Sequence, residues 1–140
     1  MDSSATAFLL AAILIVAVIG VVYLMFATKN GPNLNIARYQ TRWLEIENGI
    51  VKDNAATWQM AIINADKLLD QALRDKRIKG STMGERMKSA NKLWRNADHI
   101  WSAHKIRNRL AHETDATVNY EITLRAMSAF KQGLKDLGAI

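Results

Sequence analysis

The run from His104 to Glu113, H-K-I-R-N-R-L-A-H-E, contains the residue types that can act on a phosphodiester. Arg107 and His112 are separated by four residues, and Asn108 directly follows the arginine. Metal-independent RNA cleavage asks for a base to take the 2′-OH proton and a cation to hold the charged phosphorane, and a histidine and an arginine can supply both. The same residues suit an architectural reading. Arg107 would then be a buried structural cation, Asn108 a local hydrogen-bonder, and His112 a helix-end residue facing the negative end of the dipole. Four-residue Arg/His spacings are common, so spacing and composition alone favour the architectural reading.

Other chemistries find little support. His99, His104 and His112, in a chain with no cysteine, do not have zinc-site spacing, so neither a metal nor a cofactor is expected. There is no glycine-rich phosphate loop, nucleophile elbow or paired-carboxylate arrangement.

The element that must position these residues is a helix capped by Asn96 and running from Ala97 to about His112. At roughly 100° per residue, Ile100, Ala103, Ile106 and Leu110 form its apolar sector, with Arg107 at the edge beside Ile100. A guanidinium there needs a carboxylate or a phosphate, so Glu45, Asp66 or Asp70 is expected to meet it when no ligand is bound. His104, Asn108 and His112 share a second face with Trp101, which suits a site or a subunit contact. Arg107 and His112 lie roughly 140° apart on a regular helix. They can meet at one phosphate only if the helix loosens near Ala111 or a second protomer completes the site, so the chemical reading implies a homodimer.

Four further helices are expected. Ile36, Tyr39, Trp43, Ile46 and Ile50 mark one over about Ile36 to Val51, and Trp58, Ile62, Ala65, Leu69 and Leu73 mark another ending near Lys76. Lys52, Asp53 and Asn54 interrupt them, which leaves open two helices or one kinked rod. Thr82 and Glu85 have capping-box spacing ahead of a helix with Met83, Met87, Ala90 and Trp94 inside. The last helix starts near Asn119, turns Ile122, Ala126, Phe130, Leu134 and Leu137 inward, and stops at Gly138. Met60, Met83, Met87 and Met127, with Trp43, Trp58, Trp94 and Trp101, are assigned to the core because they recur at helical spacing. No alternating strand pattern or internal repeat occurs. The fold class is an all-α bundle of four or five helices behind one transmembrane helix.

That first helix covers residues 7–27, which hold no charge and no proline. As a helix the stretch is roughly 31 Å long, enough for a bilayer's hydrocarbon core. A cleaved signal would have a basic start and a shorter apolar run, so the segment is expected to remain as an anchor over residues 1–28. Residues 29–35, with Gly31 and the single proline Pro32, form a linker to a domain over residues 36–140. Lys29, Arg38 and Arg42 follow the span and no Lys or Arg precedes it, which places the N-terminus outside and the domain in the cytoplasm. The three are also candidates for headgroup contact. Beyond the span lie all 19 Lys and Arg, while one of the 13 acids, Asp2, precedes it. The domain is therefore basic, and its partners could be nucleic acid or anionic lipid.

Arg107, Asn108 and His112, in that order, resemble the HEPN superfamily, helical bundles whose nuclease members carry an R-x(4–6)-H motif with a polar residue after the arginine. The resemblance covers about Ile36 to Leu137. It implies His112 as general base or acid, Arg107 as the phosphate-binding cation and Asn108 as a positioning group, giving 2′,3′-cyclic phosphate and 5′-OH ends without metal. His104 and Glu113 would be supporting groups beside the motif. Three functions follow: a membrane-tethered homodimeric endoribonuclease or RNA-binding domain, a non-catalytic module for docking proteins or self-assembly, and a scaffold on anionic lipid through Lys29, Arg38 and Arg42.

Overall fold

A computed structural model describes residues 3–27 and 32–140 of the protein. It divides into two compact units, one ending at Asn33 and the other beginning at Leu34. The first contains α1, Ser3–Ala27. Its 25 residues make a helix roughly 37 Å long. Over Ser4–Met25 the mean hydropathy is 3.0 and no side chain is buried, so α1 is long and apolar enough to cross a membrane. Lys29 lies outside the described residues.

The second unit holds α2 (Ile36–Asn48), α3 (Ala55–Asp75), α4 (Met83–Ser89), a 3-10 turn (Asn91–Leu93), α5 (Ala97–His112) and α6 (Tyr120–Asp136). Among the described residues there is no strand. Each α-helix of this unit opens on a side-chain cap: Asn35, Asn54, Thr82, Asn96 and Asn119 each accept a hydrogen bond from a backbone N–H of the first turn. These caps satisfy donors that no preceding turn can reach.

α3 is central and packs against α2, α4, α5 and α6. Its Ile62, Leu69 and Leu73 meet Tyr39 and Trp43 of α2, Met87 of α4, Ile100 of α5 and Phe130 and Leu134 of α6 in one buried cluster. Burying each large side chain contributes about 1.5–3 kcal/mol. α6 comes close because position 133 is glycine. A Cβ there would sit 3.2 Å from Leu69 Cδ1 and 3.3 Å from Ile100 Cδ1.

The α2–α3 connection is a true break. Gly49 N–H closes onto the carbonyls of Glu45 and Ile46, ending α2 at Asn48 rather than Val51. Trp58 Nε1 then donates to Val51 O at 2.8 Å, tying the turn to α3. α2 and α3 are also joined at their far ends, where Tyr39 Oη donates to Asp75 Oδ2 at 2.7 Å. Burial, followed by the Asp75 hydrogen bond and charge, pushes the Tyr39 phenol well above its ordinary pKa.

Three core expectations change. Ile36 is 49% exposed, because it is the first residue of α2 and lies at the margin of the bundle. Met60 is 54% exposed. It sits roughly 160° around α3 from Ile62, so a core assignment by residue type fails on angle. Trp94 is buried, but not on a helix continuing α4, which stops at Ser89. Its Nε1 donates to Met87 O at 3.0 Å and satisfies a carbonyl freed at that helix end.

α3 and α6 end in the same way. In both, a residue in the left-handed region lets the next N–H fold back on the last turn: Ile78 N to Leu73 O at 2.9 Å in α3, and Ala139 N to Leu134 O at 2.8 Å in α6. At α6 that residue is Gly138, with φ 72°, and at α3 it is Arg77, with φ 59°.

Candidate functional site

α5 stays helical from Ala97 to His112, so no loosening occurs near Ala111. Asn96 Oδ1 accepts from His99 N at 3.1 Å at its start, and Glu113 N donates to Arg109 O at 2.8 Å at its end. α3 turns Asp66 toward it, with the residue only 2% exposed.

Four side chains close a ring. His104 Nδ1 lies 2.7 Å from Asp66 Oδ1, and His104 Nε2 lies 3.2 Å from Asn108 Nδ2. Arg107 Nη1 donates to Asn108 Oδ1 at 3.0 Å, and Arg107 Nε stands 3.2 Å from Asp66 Oδ2. The ring assigns its own protons. An amide nitrogen only donates, so His104 Nε2 accepts, and Nδ1 carries the hydrogen that Asp66 receives. With His104 neutral in this tautomer, the charges of Asp66 and Arg107 cancel. The Arg107–Asp66 contact is Coulombic, because Arg107 Nε is buried yet makes no hydrogen bond. The remainder of the Arg107 side chain is open enough to give it 28% exposure.

Of the three acids expected to meet Arg107, Asp66 does so. Asp70, one turn further along α3, is held by a different arginine. Arg86 Nε donates to Asp70 Oδ1 at 2.8 Å, and Arg86 Nη1 donates to Gly80 O at 2.7 Å. Arg86 is buried, and the sequence reading missed it. The available signal was the spacing of Asp66 and Asp70, four residues apart on the inner side of an amphipathic helix.

Within the chain, Arg107 and Asn108 are brought together and His112 is not. His112 occupies the exposed last turn of α5, and its side chain has no hydrogen bond or ion pair among the described residues. Glu113 accepts from Arg109 Nε at 3.3 Å on the exposed surface, without touching the ring. His104, expected beside the motif, is a ring member and is 8% exposed. Trp101 meets its imidazole edge-on, with centroids 6.0 Å apart. The other side of that indole covers Gly84 of α4, where an added Cβ would be 3.7 Å from Trp101 Cη2.

Two cavities flank this arrangement without opening onto Arg107 or His112. One of about 500 Å³ lies between α2 and α3, and one of about 320 Å³ lies between α5 and α6. Among the described residues no three His, Asp, Glu or Cys side chains group as a metal site would require. Comparisons with protein-family models, curated proteins and solved structures returned no match to this chain.

Proposed function

We propose that the chain is a HEPN-like helical module, anchored by α1 with residues 34–140 on the cytoplasmic side, that works by self-association through the half-buried Trp101–His112 face of α5. The observation that carries this reading is the closed ring. His104 bonds Asp66 and Asn108, Asn108 accepts from Arg107, and Arg107 faces Asp66, so these groups are largely engaged inside one chain while His112 is left without a partner among the described residues. Trp101, Asn108 and His112 fall within about 40° of one another on α5. That stripe carries an indole, an amide and an imidazole, with exposed Lys105 at its edge, and tryptophan is among the residues enriched at the centre of protein interfaces. A second copy is the occupant proposed.

Sedimentation of the full chain in detergent micelles tests this. Wild type is expected to be dimeric, and His112→Glu to shift the population toward monomer without loss of helix content by circular dichroism. A monomeric wild type across micromolar concentrations sinks the reading.

One observation favours a nuclease instead: the partly open Arg107, whose buried Nε–H has no acceptor. In that reading a second copy brings its His112 to a phosphate held by Arg107, with Asn108 positioning the arginine. Incubating full-length protein with RNA in EDTA separates the two. Cyclic-phosphate ends that vanish in both Arg107→Ala and His112→Ala establish cleavage, whereas intact RNA with dimeric wild type leaves self-association.

A further inference from the structure

The groove between α2 and α3 has no part in the self-association reading. It holds about 500 Å³, and its walls include Arg38, Arg42 and Lys67 with a single acid, Glu45. Those cations are unmatched. Six of the nine arginines, Arg74, Arg86, Arg95, Arg107, Arg109 and Arg125, have a carboxylate within 4.0 Å. Among the described residues Arg38, Arg42 and Lys67 have none, and Glu45 pairs with no cation despite sharing the groove. The other polar walls are partly committed, since Tyr39 Oη and Gln71 Nε2 both donate to Asp75. A concave surface with three cations and one acid that pairs with none of them keeps a net positive potential for an incoming anion. Two guanidinium groups suit phosphate, which they can grip in bidentate fashion.

We propose that this groove binds the phosphate of an anionic phospholipid headgroup. The source follows from the chain. α1 ends at Ala27 and α2 begins at Ile36, and the residues between them reach no further than about 30 Å when fully extended. The proposal rests on reading α1 as a membrane anchor, which keeps Arg38 and Arg42 within reach of headgroups. Glu45 tunes the site by repelling the same phosphate.

The test titrates the full chain in zwitterionic detergent micelles with three probes: short-chain phosphatidylglycerol, the matching phosphatidylcholine, and inorganic phosphate. Binding is read from the side-chain amide NMR signals of Asn64 and Gln71, which line the groove and are kept in every variant. Phosphatidylglycerol is expected to saturate and to bind at least about tenfold tighter than phosphatidylcholine, weakening as salt is raised. R38Q/R42Q/K67Q should lose roughly tenfold or more, because each basic side chain near a headgroup contributes to attraction. E45Q should bind tighter than wild type, and R77Q, which removes an unpaired arginine elsewhere, should match wild type. Equal binding of the two lipids, or equal loss in R77Q and the triple variant, overturns the site. Inorganic phosphate binding as tightly as phosphatidylglycerol overturns the lipid assignment. The anchor is judged separately by carbonate extraction of membranes containing the full chain, so its failure is distinguishable from that of the groove.

Discussion

Asp66 and Asp70 lie one turn apart on α3, and each holds an arginine from a later helix, yet the two pairs differ in how far they are closed. Arg86 at Asp70 has a 7% exposed side chain and hydrogen bonds to both a carboxylate and the Gly80 carbonyl. It fastens the segment leading into α4 against α3. Arg107 at Asp66 has 28% exposure and a buried Nε without a hydrogen bond; His104 shares its carboxylate, and the Asn108 amide accepts from its Nη1. A buried arginine engaged at all three nitrogens has little donor capacity left for a ligand. One that is partly bonded at the surface combines a fixed orientation with unused capacity. The comparison therefore separates an arginine engaged at every nitrogen, Arg86, from one that keeps unbonded capacity, Arg107, although both answer to the same kind of acid on the same helix.

The sharpest way to test this contrast is to remove each arginine. Arg86→Ala strands Asp70 with only the exposed Arg74 as partner and is expected to cost about 3–5 kcal/mol, the range for breaking a buried pair. Thermal unfolding of the full chain in micelles followed by circular dichroism would show it; a shift no larger than that of Arg107→Ala removes the distinction. Asp66→Asn should cost less, about 1.5–3 kcal/mol, because an amide oxygen still accepts from His104 while the charge facing Arg107 is lost. The same melt measures it, and a loss equal to that of Arg86→Ala would place both sites in one class.

Asn108→Ala opens the ring without changing any charge, and about 1 kcal/mol is expected from the lost hydrogen bonds. Its second readout is the His104 ring nitrogens by NMR. They should keep the Nδ1–H tautomer if Asp66 alone orders the imidazole, and begin to mix tautomers if Asn108 is needed. The smallest effect has the opposite sign and lies away from both sites. Arg77 adopts φ 59° where α6 uses Gly138, so Arg77→Gly is expected to stabilise by about 0.5–1 kcal/mol and raise the melting temperature. A decrease would mean that the Arg77 side chain contributes more than its backbone conformation costs.

Much of the architecture could be read from local pattern. The uncharged stretch ending at Ala27, the caps at Asn96 and Thr82 and the stop at Gly138 all depend on residues within a turn or two of one another. The two misses differ in kind. Met60 is a local one, since its angle on α3 already points away from Ile62, whereas Trp94 finds its burial after α4 has ended, through a hydrogen bond to a carbonyl seven residues earlier. The requirement that Arg107 meet an acid was also legible, since an apolar helix edge does not tolerate a lone cation.

Which acid would meet it was not legible. Glu45, Asp66 and Asp70 were equal candidates by charge, and the choice followed from how α5 crosses α3 where Gly133 lets α6 approach both helices. The His104–Asp66 bond joins residues 38 positions apart, and Arg86 reaches Asp70 across 16. Periodicity and capping are properties of neighbouring residues, so the chain carries them before it folds. Pairing across helices depends on axial register and crossing angle, and these exist only once the core around Leu69, Ile100 and Phe130 has packed.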